Sequence, residues 1–186
     1  MYDKDKLKKG YVGTFVITRH DATNLHWDFR LSFPVTSLKD SLGQYVKKRN
    51  WDKTNEPEVK VEDKPGLVYR SWAIPKHKVP TSKPVFAKET EDHVLEYGKF
   101  EGVIPEGYGA GKVSIYDLGK YTLVDIEYDK KYVFYLSGKK IKGYYALIKK
   151  NADNFFWIKV KNTDDYKDIK VAFSCLKKIA KYLFKI

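Results

Sequence analysis

Four histidines occur in this 186-residue chain, and two of them fall within its most chemically loaded run. That run reads Phe15-Val16-Ile17-Thr18-Arg19-His20, then Asp21-Ala22-Thr23-Asn24-Leu25, then His26-Trp27-Asp28-Phe29-Arg30-Leu31. An extended chain alternates its side chains, so a strand over residues 26–31 puts His26, Asp28 and Arg30 on one face and Trp27, Phe29 and Leu31 on the other. One face is core; the opposite face is a histidine, a carboxylate and an arginine in a row. His20, at the end of the preceding strand, returns to that row through a five-residue loop. Two imidazoles and one carboxylate suit a borderline divalent ion such as Mn, Fe, Co, Ni or Zn, with positions left for water or substrate. Arg30 beside them can hold an anionic group.

A third histidine lies in Glu91-Asp92-His93-Val94-Leu95-Glu96-Tyr97. The spacing of four predicts that His93 and Tyr97 share the face of a helical turn, offering an imidazole and a phenol for acid, base or phosphate contacts. His77 reads as a solvated loop residue and its neighbour Lys76 as a phosphate contact. Gly107-Tyr108-Gly109-Ala110-Gly111-Lys112 lacks the Gly-Lys-Ser/Thr ending of a phosphate loop and precedes a strand, so it reads as a tight turn. Cys175, the single cysteine, allows no internal disulfide and no cysteine-based zinc site.

These residues need a scaffold, and the pattern around them is mostly β. Alternating β-branched and aromatic residues predict strands at Val12 to His20, His26 to Phe33, Leu67 to Ile74, Val85 to Glu89, Lys112 to Asp117, Tyr121 to Tyr128, Tyr132 to Leu136, Tyr144 to Lys149 and Phe155 to Lys161. So many short strands predict a compact β-barrel, because closure removes exposed edges. Two helices are expected to flank it. One is capped by Ser37 and carries Leu38, Leu42, Tyr45 and Val46 at helical spacing. The other is a C-terminal amphipathic helix over Asp168 to Lys185 with Ile169, Phe173, Leu176, Ile179, Ala180 and Leu183 in one stripe. Asn50 to Gly66, polar and with two prolines, reads as a loop.

Composition sets the class of partner. The chain is 42% apolar and 16% aromatic with a net charge of +12, which excludes a disordered segment and favours a polyanion. No apolar run reaches the roughly 20 residues of a membrane helix, and the N-terminus has no apolar stretch of signal-peptide type, so a soluble, cytoplasmic protein without a membrane partner is expected. Only Arg19, Arg30, Arg49 and Arg70 are arginines among 36 basic residues. An arginine kept in so lysine-rich a chain suggests a need for its planar fork, or else a plain surface ion pair.

The segments FVITRHDATNLHWDFRLSF, RSWAIPK, TEDHVLEYGKFEGVIPEGYGAGKVSIYDLGKY and NFFWIKVK resemble, in this order, the 3'-phosphoesterase module of bacterial DNA ligase D and its free-standing archaeal relatives. The resemblance covers most of residues 12–162. It implies a single domain over residues 1–186, a β-barrel and dependence on Mn2+, with Co2+ or Zn2+ as substitutes. The implied activity removes a 3'-terminal ribonucleoside from a DNA or RNA/DNA primer-template end to leave a 3'-phosphate, then hydrolyses that phosphate to a 3'-hydroxyl. It further implies His20, His26 and Asp28 as metal ligands and Arg30, His93 and Tyr97 around the phosphate, with Glu91 and Lys76 in support. A separate ligase or polymerase is the partner implied by analogy.

The chain departs from the family at several points. Thr18 stands where the family has Gln, and Val85 stands where relatives have an Arg that Lys83 can replace. One residue is lost in Pro105-Glu106-Gly107-Tyr108. A segment that relatives carry ahead of the metal motif matches Lys48-Arg49-Asn50-Trp51-Asp52-Lys53-Thr54-Asn55-Glu56-Pro57 inside an insertion of about residues 34–66, so Arg49 and Glu56 are expected to reach the site from a relocated position. Two other readings compete: a non-haem iron oxygenase using His26, Asp28 and His93 as a facial triad, and a non-catalytic basic barrel that binds single strands.

Overall fold

A computed structural model describes residues 1–48, 61–76, 79–107 and 109–160. Its strands are β1 (Val12–Ala22), β2 (His26–Val35), β3 (Gly66–Pro75), β4 (Val85–Glu89), β5 (Gly102–Ile104), β6 (Gly111–Glu127), β7 (Lys131–Gly138), β8 (Lys142–Asn151) and β9 (Asn154–Val160). They form one sheet in the order β1-β2-β3-β4-β9-β8-β7-β6-β5, every ladder antiparallel. A further antiparallel pairing between β1 and β6 closes eight of these strands into a barrel, with β5 added at the edge of β6. The expected barrel is therefore present. Among the described residues its flanking helices are α1 (Leu38–Lys48) and a 3-10 turn at Leu95–Lys99. The C-terminal helix expected over residues 168–185, Cys175 and His77 lie outside the described residues.

Strand periodicity sorts the side chains of β2 as expected. Phe29, Leu31 and Phe33 are fully buried in the barrel interior with Phe15, Ile17, Trp72, Phe134 and Trp157. Phe29 stacks on Trp157 with ring centroids 4.1 Å apart. Truncating Phe29 to alanine is expected to lower stability by about 3 to 5 kcal/mol, measured by urea unfolding, because the void would open against an indole fixed on several sides.

Two expected strands, Lys112 to Asp117 and Tyr121 to Tyr128, are one long β6. Gly119 between them reads as a turn, but a Cβ there would lie 2.3 Å from the Ser137 carbonyl oxygen. The glycine permits close approach of β7 and breaks no strand. β5, three residues long, was too short to leave a periodic pattern.

Ser37 caps α1 as its sequence suggests: its hydroxyl accepts from the Asp40 amide at 3.2 Å and donates to Asp63 at 2.7 Å. Leu42 is buried there in a second apolar cluster with Val35, Val68, Val94, Tyr97, Phe100, Ile104 and Val113. No described helix is long and apolar enough to cross a membrane.

Candidate active site

The polar face of β2 is positioned by its two neighbours. In the β1–β2 hairpin His20 pairs with His26 and Thr18 with Asp28, and partners in an antiparallel ladder point to the same side. The two imidazole centroids are 4.7 Å apart. One ligand atom from each of His20, His26 and Asp28 lies within 4.8 Å of the others. The convergence expected from strand period and loop length is thus observed.

Backbone carbonyls set the orientation of both rings. His26 Nδ1 lies 2.8 Å from the Asn24 carbonyl oxygen and His20 Nε2 lies 2.8 Å from that of Gly109. A carbonyl only accepts, so each of these nitrogens carries the hydrogen. The opposite nitrogen, His26 Nε2 and His20 Nδ1, then turns its lone pair toward Asp28, at 3.5 Å from Oδ1 and 3.8 Å from Oδ2. Three acceptors face one another, the arrangement that outer partners impose on metal-binding histidines. Burial pushes the His20 pKa below its usual range, against the opposing charge of Asp28 and with help from His26. The neutral, metal-binding form is favoured accordingly.

Arg30 is 2% exposed. Its Nη2 donates to Asp28 Oδ2 at 2.9 Å and its Nη1 to Thr18 Oγ1 at 2.9 Å, while Thr18 Oγ1 donates to Asp28 Oδ2 at 3.4 Å. The guanidinium carbon sits 5.0 Å from the Tyr97 ring centroid. Arg30 Nε has no hydrogen-bond partner among the described residues. Thr18, noted in the sequence only as a departure, therefore orients the arginine.

His93 and Tyr97 do come together, with ring centroids 5.2 Å apart, but no common helical turn brings them there. His93 is extended: its N–H donates to the Tyr69 carbonyl at 2.9 Å and its carbonyl accepts from the Tyr69 N–H at 2.8 Å, which removes both groups from any helix. The 3-10 turn begins only at Leu95. Its approach to β3 depends on Gly98, where a Cβ would lie 2.3 Å from the Tyr69 ring. His93 Nδ1 donates to the Glu91 carbonyl at 2.8 Å and lies 3.0 Å from Ser71 Oγ, a support that sequence spacing did not disclose.

These groups line one cavity of about 1040 Å³ that includes His20, His26, Asp28, Arg30, Glu91, His93 and Tyr97. Lys76 is exposed at the end of β3 with φ 62° and is not among the lining residues. The third member of the acceptor cluster is His20, and His93 is not part of it, which counts against the oxygenase triad. The turn after Gly107 carries the Gly109 carbonyl to His20. Arg49, Glu56 and Tyr108 lie outside the described residues.

The scarce arginines divide by role. Arg19 makes an exposed pair with Asp21 at 2.8 Å. Arg70 is buried and serves the barrel end, bonded to Glu89, Asp129 and the Tyr132 hydroxyl. Nearby, Tyr2 donates to Asp92 at 2.7 Å, and burial raises the Asp92 pKa from 3.8 to about 6 despite that bond and the charge of Arg70. A carboxyl with a raised folded pKa costs stability above that pKa and nothing below its unfolded value. Asp92→Asn is therefore expected to stabilise the protein by about 1 to 3 kcal/mol at pH 7.5, an advantage that fades as the pH of urea unfolding is lowered through 6 toward 4.

Comparison with known proteins places the chain in a family. Residues 60–149 match the family profile of the DNA Ligase D 3'-phosphoesterase domain. The chain is 36% identical over 160 residues to the multifunctional non-homologous end joining DNA repair protein LigD of Mycobacterium tuberculosis. It is 31% identical over 160 residues to the multifunctional non-homologous end joining protein LigD of Pseudomonas aeruginosa, and 30% identical over 171 residues to that of Mycolicibacterium smegmatis. These alignments take in 83%, 80% and 86% of the chain but only 17%, 15% and 18% of the relatives, so the chain spans about one sixth of their length. What it shares with them is the 3'-phosphoesterase module, and the chain belongs to the family of the DNA ligase D 3'-phosphoesterase domain.

Proposed function

We propose that the protein heals 3' ends of DNA or of RNA/DNA primer-templates: it removes a terminal ribonucleoside to leave a 3'-phosphate, then hydrolyses that phosphate to a 3'-hydroxyl. The observation that carries this reading is the set of three acceptors, His20 Nδ1, His26 Nε2 and the Asp28 carboxylate, turned toward one another beside the buried Arg30 guanidinium. Facing acceptors of this kind call for a cation, and the N2O donor set fits Mn2+, with Co2+ or Zn2+ as alternatives. A bound divalent ion supplies Lewis-acid charge to a phosphate oxygen.

The chain's own residues do the rest. Arg30, pinned by Asp28 and Thr18, meets the charge that builds on the phosphate without having to reorganise. His93 has its Nδ1–H directed to the Glu91 carbonyl, so Nε2 is the atom that would hold the proton passed to a leaving oxygen or donated to the phosphate. Tyr97 contacts both His93 and the Arg30 guanidinium and helps to position them. Arg49 and Glu56 from the relocated segment and Lys76 from the end of β3 complete the proposed set, with Lys76 as a phosphate contact. A separate ligase or polymerase would take over the healed end, in keeping with the end-joining proteins that the chain is similar to.

A DNA strand ending in one ribonucleotide, incubated with the protein and manganese and followed by mass spectrometry, is expected to yield the 3'-phosphate first and the 3'-hydroxyl later. Binding of that strand with no change in its mass would instead support a non-catalytic basic barrel.

A further inference from the structure

We infer that Lys88 forms a second phosphate subsite, one that takes the internucleotide phosphate next to the reacting 3' end; this rests on the phosphoesterase reading above. The register places it there. Asp28 on β2 pairs with Ala73 on β3, and Ala73 pairs with Lys88 on β4, so the three side chains stand in a row on one face of the sheet. Two strand spacings of about 4.8 Å separate the outer members by roughly 10 Å at the backbone. Ala73, between them, contributes only a methyl group, and all three line the same cavity. A metal-bound end at Asp28 thus leaves a shallow floor, one sugar wide, with a lysine on its far side.

The charge of that lysine is uncommitted. Lys130, Lys131 and Lys149 each pair with a carboxylate, at 2.7, 2.7 and 2.6 Å, whereas Lys88 is exposed and makes no ion pair among the described residues. The carboxylates on the same wall are Glu89, Glu91 and Asp153. Glu89 is held by Arg70, and among the described residues neither Glu91 nor Asp153 forms an ion pair with Lys88. An ammonium in this position is a point charge suited to a singly charged phosphodiester, which needs no bidentate fork. The subsite selects a strand over a free mononucleotide.

The test compares thymidine 3'-monophosphate with thymidine 3',5'-bisphosphate as competitive inhibitors of phosphate release from a 3'-phosphate-terminated DNA strand. The two differ only in the phosphate assigned to Lys88. The wild-type protein is expected to bind the bisphosphate roughly tenfold more tightly. Lys88→Met, which keeps the aliphatic stem, should bind both about equally, with unchanged kcat on the strand and a salt slope of log KM smaller by about one; Lys88→Arg should restore the preference. An inhibitor ratio that is the same in the wild type and Lys88→Met would overturn the subsite while leaving the phosphoesterase reading intact. A wild type that releases no phosphate from the strand would overturn that reading and the subsite with it.

Discussion

Replacing His26 by alanine is expected to lower phosphate release by about 10³-fold or more while leaving the unfolding free energy within about 0.5 kcal/mol of wild type. The side chain is 26% exposed, and its one strong bond is to a loop carbonyl two residues away, so little of the fold depends on it. What depends on it is one lone pair of the three that face each other at Asp28. Phe29, three residues on in the same strand, gives the reverse: it touches no part of the cavity, and its loss weakens the barrel. Parallel measurement of turnover and urea unfolding on the two variants separates chemistry from packing along a single β-strand.

Arg30→Lys is expected to reduce kcat by about 10²- to 10³-fold even though the formal charge is unchanged. The guanidinium holds Asp28 with one nitrogen and Thr18 with another while lying over the Tyr97 ring. An ammonium is a compact, strongly hydrated point charge and cannot make these contacts together. Nonspecific attraction for the strand should persist, because it comes from the net charge of +12 spread over the surface. The salt dependence of binding should therefore stay close to wild type while the single-turnover rate collapses. Equal losses in both would mean that Arg30 serves strand binding alone and not the chemical step.

Much of this site was legible from spacing. A period of two is rigid, so His26, Asp28 and Arg30 had to share a face once residues 26–31 were extended, and a hairpin this short had to return His20 beside His26. The barrel followed from the count of short alternating strands. Other parts left no such trace. The carbonyls of Asn24 and Gly109 that set the two imidazole tautomers belong to the backbone, which every residue shares. Ser71, behind His93, and Lys88, across from Asp28, come from strands distant in sequence and meet the site only through sheet register. His93 and Tyr97, four apart, invite a helical reading. Two backbone bonds to Tyr69 hold His93 extended instead, a tertiary contact that outweighs local spacing. Gly119 looked like a turn because a glycine that admits a neighbouring strand is indistinguishable in sequence from one that reverses the chain.

The most direct test of a metal-dependent phosphoesterase at this face is inorganic phosphate release from a 3'-phosphate-terminated primer-template by protein stripped with a chelator, assayed before and after manganese is restored. The expected result is no release from the stripped protein, recovery on adding about one manganese ion per chain, and no recovery in His26→Ala at the same manganese concentration. Release from the stripped wild type at the full rate, or equal recovery in His26→Ala, would contradict it.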